Sequence, residues 1–217
     1  MFTERQQARD VNNRSHLTME ELLDVMNTAK AESVRDWAIF CVTFRHALRS
    51  AEVAALRWSD INFANGTLSL QRLKGGMFTE QSLFKTKGSP ALDEIQALKA
   101  WRNEQGPSSG NPYVFTTQKS SAHIRRETVS RLFRYYAEKT SANRVRQGKK
   151  PIPESCWHVH ILRHTRITIM VNTPGVDLFD CKALAGHTNY ASTLKYAHHD
   201  QRKACLEAER SIVEALA

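Results

Sequence analysis

Residues 64–84, ANGTLSLQRLKGGMFTEQSLF, ask for extended structure in a chain whose pattern is otherwise helical. Asn65-Gly66 opens a strand, Lys74-Gly75-Gly76 makes a turn and a second strand follows. The segment is therefore predicted to be a β-hairpin with a lysine at its tip. Around it the signals are those of helices. Thr18 with Glu21 forms a capping box ahead of LTMEELLDVM, with Leu17 placed as a staple, and Ser33 with Asp36 repeats the signal more weakly. Trp37, Ile39, Phe40, Val42 and Phe44 are dense enough for a buried helix. Pro90 suits a helix N1 position, with Leu92, Ile95, Leu98 and Trp101 at helical spacing behind it. A basic amphipathic helix is expected over about 127–139, between the loops EQGPSSGNP and SANRVRQGKKPIPES. Three further helical stretches run from about His160, the last from Asp200 with Leu206, Ile212, Val213 and Leu216 as its apolar positions. The expected fold is mainly α with a small antiparallel β element, an α+β arrangement. Residues 1–15 are polar and aperiodic, a tail or linker remnant, which leaves 16–217 as one domain.

Charge indicates the partner. Lys+Arg outnumber Asp+Glu by 31 to 22 in 217 residues, a net charge of +9 that favours a polyanion. Between Lys119 and Lys150 ten basic residues face only Glu127 and Glu138, so nearly all of the excess sits in that stretch. Arg125, Arg126, Arg144, Arg146, Lys149 and Lys150 are its candidate phosphate contacts, against the plainer reading of a solvated face. The four cysteines, Cys41, Cys156, Cys181 and Cys205, are far apart and form no C-x-x-C. With no signal peptide and no apolar run of membrane length, they suggest buried free thiols in a reduced cytoplasmic protein without a membrane partner.

Three clusters can carry chemistry. In HALRSAEVAALRWSDIN, Arg49 stands at a helix junction with Glu52 close enough to fix it, either a structural ion pair or a held catalytic charge. In HVHILRHTR, His160 and Arg163 are three apart and share a helix face. In LAGHTNYASTLKYAHH, His187 and Tyr196 are nine apart. Cys156, His158, His160, His164, His187, His198 and His199 raise zinc, but the paired ligand spacing of structural zinc sites is not completed, so no metal is expected. No G-x-x-x-x-G-K-[ST] occurs either, which disfavours a phosphate-binding NTPase.

ALRSAEVAALRWSDIN, RLKGG, HVHILRHT and LAGHTNYASTLKY, in that order, resemble the successive boxes of the tyrosine recombinase (phage integrase) family catalytic domain. In length and hairpin motif the chain looks most like the small fimbrial phase-switch invertases. The resemblance implies the tyrosine recombinase catalytic-domain fold and a site-specific DNA recombinase. It would cleave and rejoin strands through a 3′-phosphotyrosine, for integration, excision or inversion. It further implies Tyr196 as nucleophile, Arg49, Arg163 and His187 as phosphate clamps, Lys74 as the acid for the leaving 5′ oxygen and His160 as the tyrosine's base. Glu52 and His164 would support them. No cofactor is implied, because the phosphotyrosine ester conserves the bond energy. The implied partners are double-stranded DNA with paired recombination sites, a homotetramer assembled on it and accessory DNA-bending proteins. A type IB topoisomerase shares the tyrosine chemistry, and a DNA-binding regulator without catalysis is the rival from another class. The chain departs from the pattern at Ala185, where the family usually has leucine, which should loosen local packing. Its length also leaves no room for the separate N-terminal clamping domain of longer integrases.

Overall fold

Thr18 caps helix α1 (Met19–Glu32) through the expected capping box. Its hydroxyl accepts from the Glu21 N–H at 3.2 Å, and the Glu21 carboxylate accepts from the Thr18 N–H at 2.9 Å. Ser33 then caps α2 (Val34–Arg45) by accepting from the Asp36 N–H at 3.2 Å. The computed structural model describes residues 14–73, 77–106, 110–117 and 120–197. Within them come α3 (Ser50–Ala54), α4 (Glu94–Gln105), α5 (Arg126–Arg146), α6 (His160–Val171), α7 (Leu178–Ala185) and the short α8 (Ala191–Leu194). Every residue from Trp37 to Phe44 is buried, and a helix covered on all sides can only stand at the centre of a layer. Helices α1, α4, α5 and α6 pack around it. Phe40 at its middle meets the rings of Phe133 and Tyr136 edge-on, at 5.3 and 5.5 Å.

The hairpin forms as the sequence indicates. Strands β1 (Ile61–Asn62), β2 (Thr67–Gln71) and β3 (Phe78–Ser82) make an antiparallel sheet in that order, with Leu68 opposite Gln81 and Leu70 opposite Thr79. Leu68 and Leu70 point inward, and the same alternation carries Arg72 inward after them. Residues 74–76, Lys74 included, lie outside the described residues, as do His198, His199, Cys205 and the stretch from Asp200 onward.

Several boundaries differ from expectation. Pro90 opens a 3₁₀ turn, Pro90–Leu92, and α4 starts later, because the Asp93 carboxylate caps it by accepting from the Gln96 N–H at 2.9 Å. Helix α5 continues through SANRVR, where the sequence pattern indicates loop. Thr140, Ser141 and Arg144 extend the buried stripe of Val129, Phe133, Tyr136 and Ala137, so the inward face turns polar without ending. A second ribbon, β4 (Thr116–Thr117) with β5 (Ser120–His123), is too short and polar to show a strand pattern. Cys41, Cys156 and Cys181 are buried free thiols. No helix among the described residues is long and apolar enough to cross a membrane.

Truncating Phe40 removes the aromatic packing at the centre of this layer. Phe40→Ala should lower unfolding stability by about 3–5 kcal/mol, read from urea midpoints at unchanged m-value.

Candidate active site

Helix α3 begins at Arg49, whose extended backbone makes it the N-cap. Glu52, at the third helical position, reaches back and accepts from the Arg49 N–H at 2.8 Å and from its Nη1 at 2.8 Å. The same carboxylate accepts from Arg72 Nη1 at 3.0 Å, so one buried anion is shared by two guanidinium groups. Burial opposes ionisation of Glu52, but the Arg49 N–H, the Arg72 charge and the Arg49 side chain outweigh it and hold its carboxyl below the ordinary range. Arg72 also donates through Nη2 to the carbonyls of His46 at 3.0 Å and Leu184 at 2.6 Å.

Arg163, in the first turn of α6, is 1% exposed and has a different kind of anchor. It donates from Nη1 to the Ala47 carbonyl and from Nη2 to the Ala185 carbonyl, the latter at 2.7 Å. Burial, then the charges of Arg49 and Arg72, lowers its pKa to about 10, which leaves it charged at neutral pH. Ala185 is wholly buried in a small cluster with Ala47 and Ile167. Gly186 ends α7 at φ +61°, and a Cβ on it would lie 2.7 Å from Arg72 Cγ. Only glycine satisfies both the left-handed backbone and that approach.

His187 follows directly. Its Nδ1 meets the Thr193 hydroxyl at 2.9 Å, and its ring stacks parallel to that of Tyr196 with centroids 6.4 Å apart. Tyr196 is half-buried beside Val171, Leu184 and the Ala47–Ile167–Ala185 cluster, and His164 lies 5.2 Å from its ring. Burial raises the Tyr196 pKa, with Arg163 and Arg49 pulling the other way. His160 lies at the start of α6 with its ring 4.5 Å from His164. Burial first, and then the neighbouring cationic and imidazole groups, lowers the pKa of His160, His164 and His187 to about 4 each. His160 remains exposed to solvent at the surface of the cleft.

Arg49, His160, Arg163, His164, His187 and Tyr196 line one cleft of about 860 Å³. Glu52 stands behind it, and Leu73, the residue before Lys74, is on its wall. Arg126 joins them there, while Arg125, Arg146 and Lys150 are exposed outside the cleft. Arg144 and Lys149 are not brought to it. Arg144 is 5% exposed and pairs with Asp24, while Lys149 pairs with Glu20 at 3.0 Å, so both are tied down by the acidic face of α1. Tyr190 is exposed, with Lys182 Nζ 4.6 Å over its ring. Sequence reasoning passes over Arg72, Ser130 and Lys195. The period-2 run of Leu68, Leu70 and Arg72 is the available signal for the first.

Residues 15–203 match the Phage integrase family, and the chain belongs to it. It is 32% identical over 168 residues to the tyrosine recombinase XerC of Xanthomonas axonopodis pv. citri (strain 306), covering 77% of this chain and 48% of that protein. It is 27% identical over 184 residues to the type 1 fimbriae regulatory protein FimB of Escherichia coli (strain K12), covering 84% of this chain and 82% of that one. The chain thus spans about half the length of the first relative and most of the second. Its fold is similar to that of the XerH site-specific recombinase bound to difH substrate in a pre-cleavage complex. The TM-score is 0.69 at 20% identity, over 90% of this chain and 54% of that one. The observed architecture, mostly helical with small antiparallel sheets, is the tyrosine recombinase catalytic-domain fold.

The three low imidazole pKa values set a pH dependence of stability. Unfolded histidines bind protons below about pH 6.5. The folded ones do so only near pH 4. Between those limits the unfolded chain carries more protons, so stability is complete above pH 6.5 and declines as pH falls towards 4. Urea midpoints measured from pH 7.5 to pH 5 should fall, and His187→Gln should make the decline shallower.

Proposed function

We propose that this chain is a site-specific DNA recombinase that breaks and rejoins strands through Tyr196. The observation that carries the reading is the convergence of a half-buried tyrosine, a buried arginine anchored only on carbonyls and a neutral histidine in one cleft. A phosphodiester entering it would meet Arg49 and Arg163 at its nonbridging oxygens, where guanidinium forks stabilise the charge that gathers in the transition state. With Thr193 engaging His187 Nδ1, the other ring nitrogen is left to donate to the phosphate. Tyr196 Oη forms the bond to phosphorus while the bond to the 5′ oxygen breaks. The tyrosine proton passes to His160, and Lys74 protonates the departing oxygen, leaving a 3′-phosphotyrosine and a 5′ hydroxyl. The charge of the incoming phosphate opposes the cationic surroundings that depress His160 and makes it a better base.

Double-stranded DNA with paired sites is the proposed substrate, held by a homotetramer in a cytoplasmic setting, with DNA-bending proteins as accessory partners. The solved relatives that match this fold include a lambda integrase dimer on a core site and a tetramer on a Holliday junction. Residues 16–217 would be the catalytic unit. Among the basic residues, Arg125, Arg126, Arg146 and Lys150 suit phosphate contact better than Arg144, which is buried on Asp24, whereas Lys149 would have to exchange its exposed pair with Glu20.

The direct test is a pool of end-labelled, nicked duplexes with a randomised core, which traps the cleaved strand on the protein. The native chain should give a protease-sensitive covalent adduct. Tyr196→Phe should bind the pool equally and give none, whereas Tyr190→Phe should give the native yield. An adduct persisting in Tyr196→Phe would remove this tyrosine from the nucleophile's role.

Salt dependence tests the basic surface. Replacing both Arg125 and Arg126 with glutamine should flatten the slope of log K against log salt by about one unit for each phosphate no longer neutralised. Arg144→Gln should instead leave the slope unchanged and lower the urea midpoint, since its partners are Asp24 and Glu20. Equal slopes for the two sets would return Arg125 and Arg126 to an ordinary solvated face.

A further inference from the structure

Beneath the cleft, the turn after α2 carries more anchors than its three residues, His46, Ala47 and Leu48, would otherwise explain. The His46 carbonyl accepts from Arg72 and the Ala47 carbonyl from Arg163, so two of the site's three guanidinium groups rest on adjacent residues. Ala47 takes φ +49°, the one left-handed non-glycine backbone among the described residues. Such a conformation persists only where its surroundings impose it. The residue before it, His46, has a side chain held from two sides. That side chain is wholly buried between α4 and the hairpin, with Nδ1 at 2.8 Å from Gln81 Oε1 and Nε2 at 2.9 Å from Glu94 Oε2.

Donor and acceptor roles follow from the neighbours. The Gln81 amide nitrogen donates to the Leu184 carbonyl at 3.0 Å, so its oxygen must face His46 and Nδ1 must carry a hydrogen. The Glu94 Oε1 accepts from the Phe84 N–H, which leaves Oε2 for His46. His46 Nε2 and Glu94 Oε2 have no other hydrogen-bond partner and no solvent. Two such lone pairs would repel at this separation, so a proton belongs on one of them. The approach is that of an ion pair rather than an aligned hydrogen bond. The chain Glu94–His46–Gln81–Leu184 therefore ends on the carbonyl that Arg72 also holds, one residue before the Ala185 carbonyl that holds Arg163.

Resting on the recombinase reading above, we infer that His46 is a positioning residue. Through Gln81 and Glu94 it fixes the turn and the α7 C-terminus on which Arg72 and Arg163 are seated, and so aims the phosphate clamp without touching DNA. Arg72 at its carbonyl, and Arg45, Asp93, Cys41 and Arg166 around Glu94, are the charged or titratable groups nearest to the pair.

Two near-isosteric variants separate aim from fold. Gln81→Met deletes both amide hydrogen bonds while filling the same space. Glu94→Gln keeps them all, because its oxygen can accept from Phe84 and its nitrogen can donate to a neutral His46. At saturating protein on the nicked-duplex pool, Gln81→Met should form adduct about 10 to 100-fold more slowly, with DNA affinity within about threefold of native. Glu94→Gln should stay within about threefold of the native rate. In the DNA-free protein, the ¹⁵N guanidinium resonances of Arg72 and Arg163 should shift in Gln81→Met and hold in Glu94→Gln. Native rate and unmoved arginine resonances in folded Gln81→Met would overturn the inference, as would equal impairment of both variants. If the native chain forms no adduct at all, the recombinase reading fails, and the arginine resonances alone decide whether His46 sets their positions.

Discussion

Arg163 is a buried cation with no carboxylate beside it among its hydrogen-bond partners, and the cleft is organised around that choice. Carbonyl oxygens satisfy its N–H groups but leave its charge uncancelled, whereas a carboxylate would have neutralised the field that, on the reading proposed above, serves a phosphate. Burial makes the charge costly, and the fall of its pKa to about 10 records that cost without removing the proton. Arg49 and Arg72 share the single anion Glu52, so three guanidinium charges face one carboxylate and the group retains +2. The anchoring carbonyls come from the turn after α2 and from the end of α7, and the fold's first task is therefore to hold these two backbone segments together.

The basic stretch shows how a charge run is divided by the fold. Helix α5 packs along α1, whose Glu20, Asp24 and Glu32 face it and take up Arg144, Lys149 and Lys139. The buried Arg144 pair fastens the helix in place, while the more exposed Lys139 and Lys149 pairs add little. Arg126, at the opposite end, reaches the cleft, and its only partner there is the neighbouring, exposed Glu127. Exposed pairs of that kind contribute little and exchange readily for a phosphate. Position along one helix thus decides whether an arginine serves stability or an incoming polyanion.

Most of the architecture is readable because it rests on local signals. Thr18 and Ser33 act over three residues and cap the helices they indicate, and the two strands expected on either side of Lys74-Gly75-Gly76 pair with each other. The boxes around Arg49, His160, Arg163, His187 and Tyr196 are equally plain, and the structure gathers those five residues in one cleft. What escapes is everything fixed by partners distant in the chain. Arg72 reads as a solvated hairpin lysine's neighbour until Glu52 and Leu184 surround it, 20 and 112 residues away. His46 and Glu94 read as surface polar residues at helix ends, and both are wholly buried. The polar end of α5 reads as loop because its inward residues find their partners on α1 and at Lys150 rather than in an apolar pattern.

The protonation states complete the logic of the cleft. With the pKa of His160, His164 and His187 lowered to about 4, the positive charge lining the cleft at neutral pH comes from Arg49, Arg126, Arg163 and Lys195. Tyr196 is pulled towards ionisation by Arg163 and Arg49, but burial outweighs them and keeps its proton in place. Desolvation thus keeps Tyr196 protonated and the three imidazoles weakly basic. On the reading proposed above, a phosphate entering the cleft would offset only the cationic part of the histidines' depression, leaving burial, its larger cause, in place. The same anion opposes ionisation of the tyrosine, so removal of its proton has to be coupled to bond formation at phosphorus, where the clamp spreads the charge. On the reading proposed above, a site arranged this way would hold Tyr196 in reserve until DNA is seated, which suits a reaction whose intermediate is a broken strand.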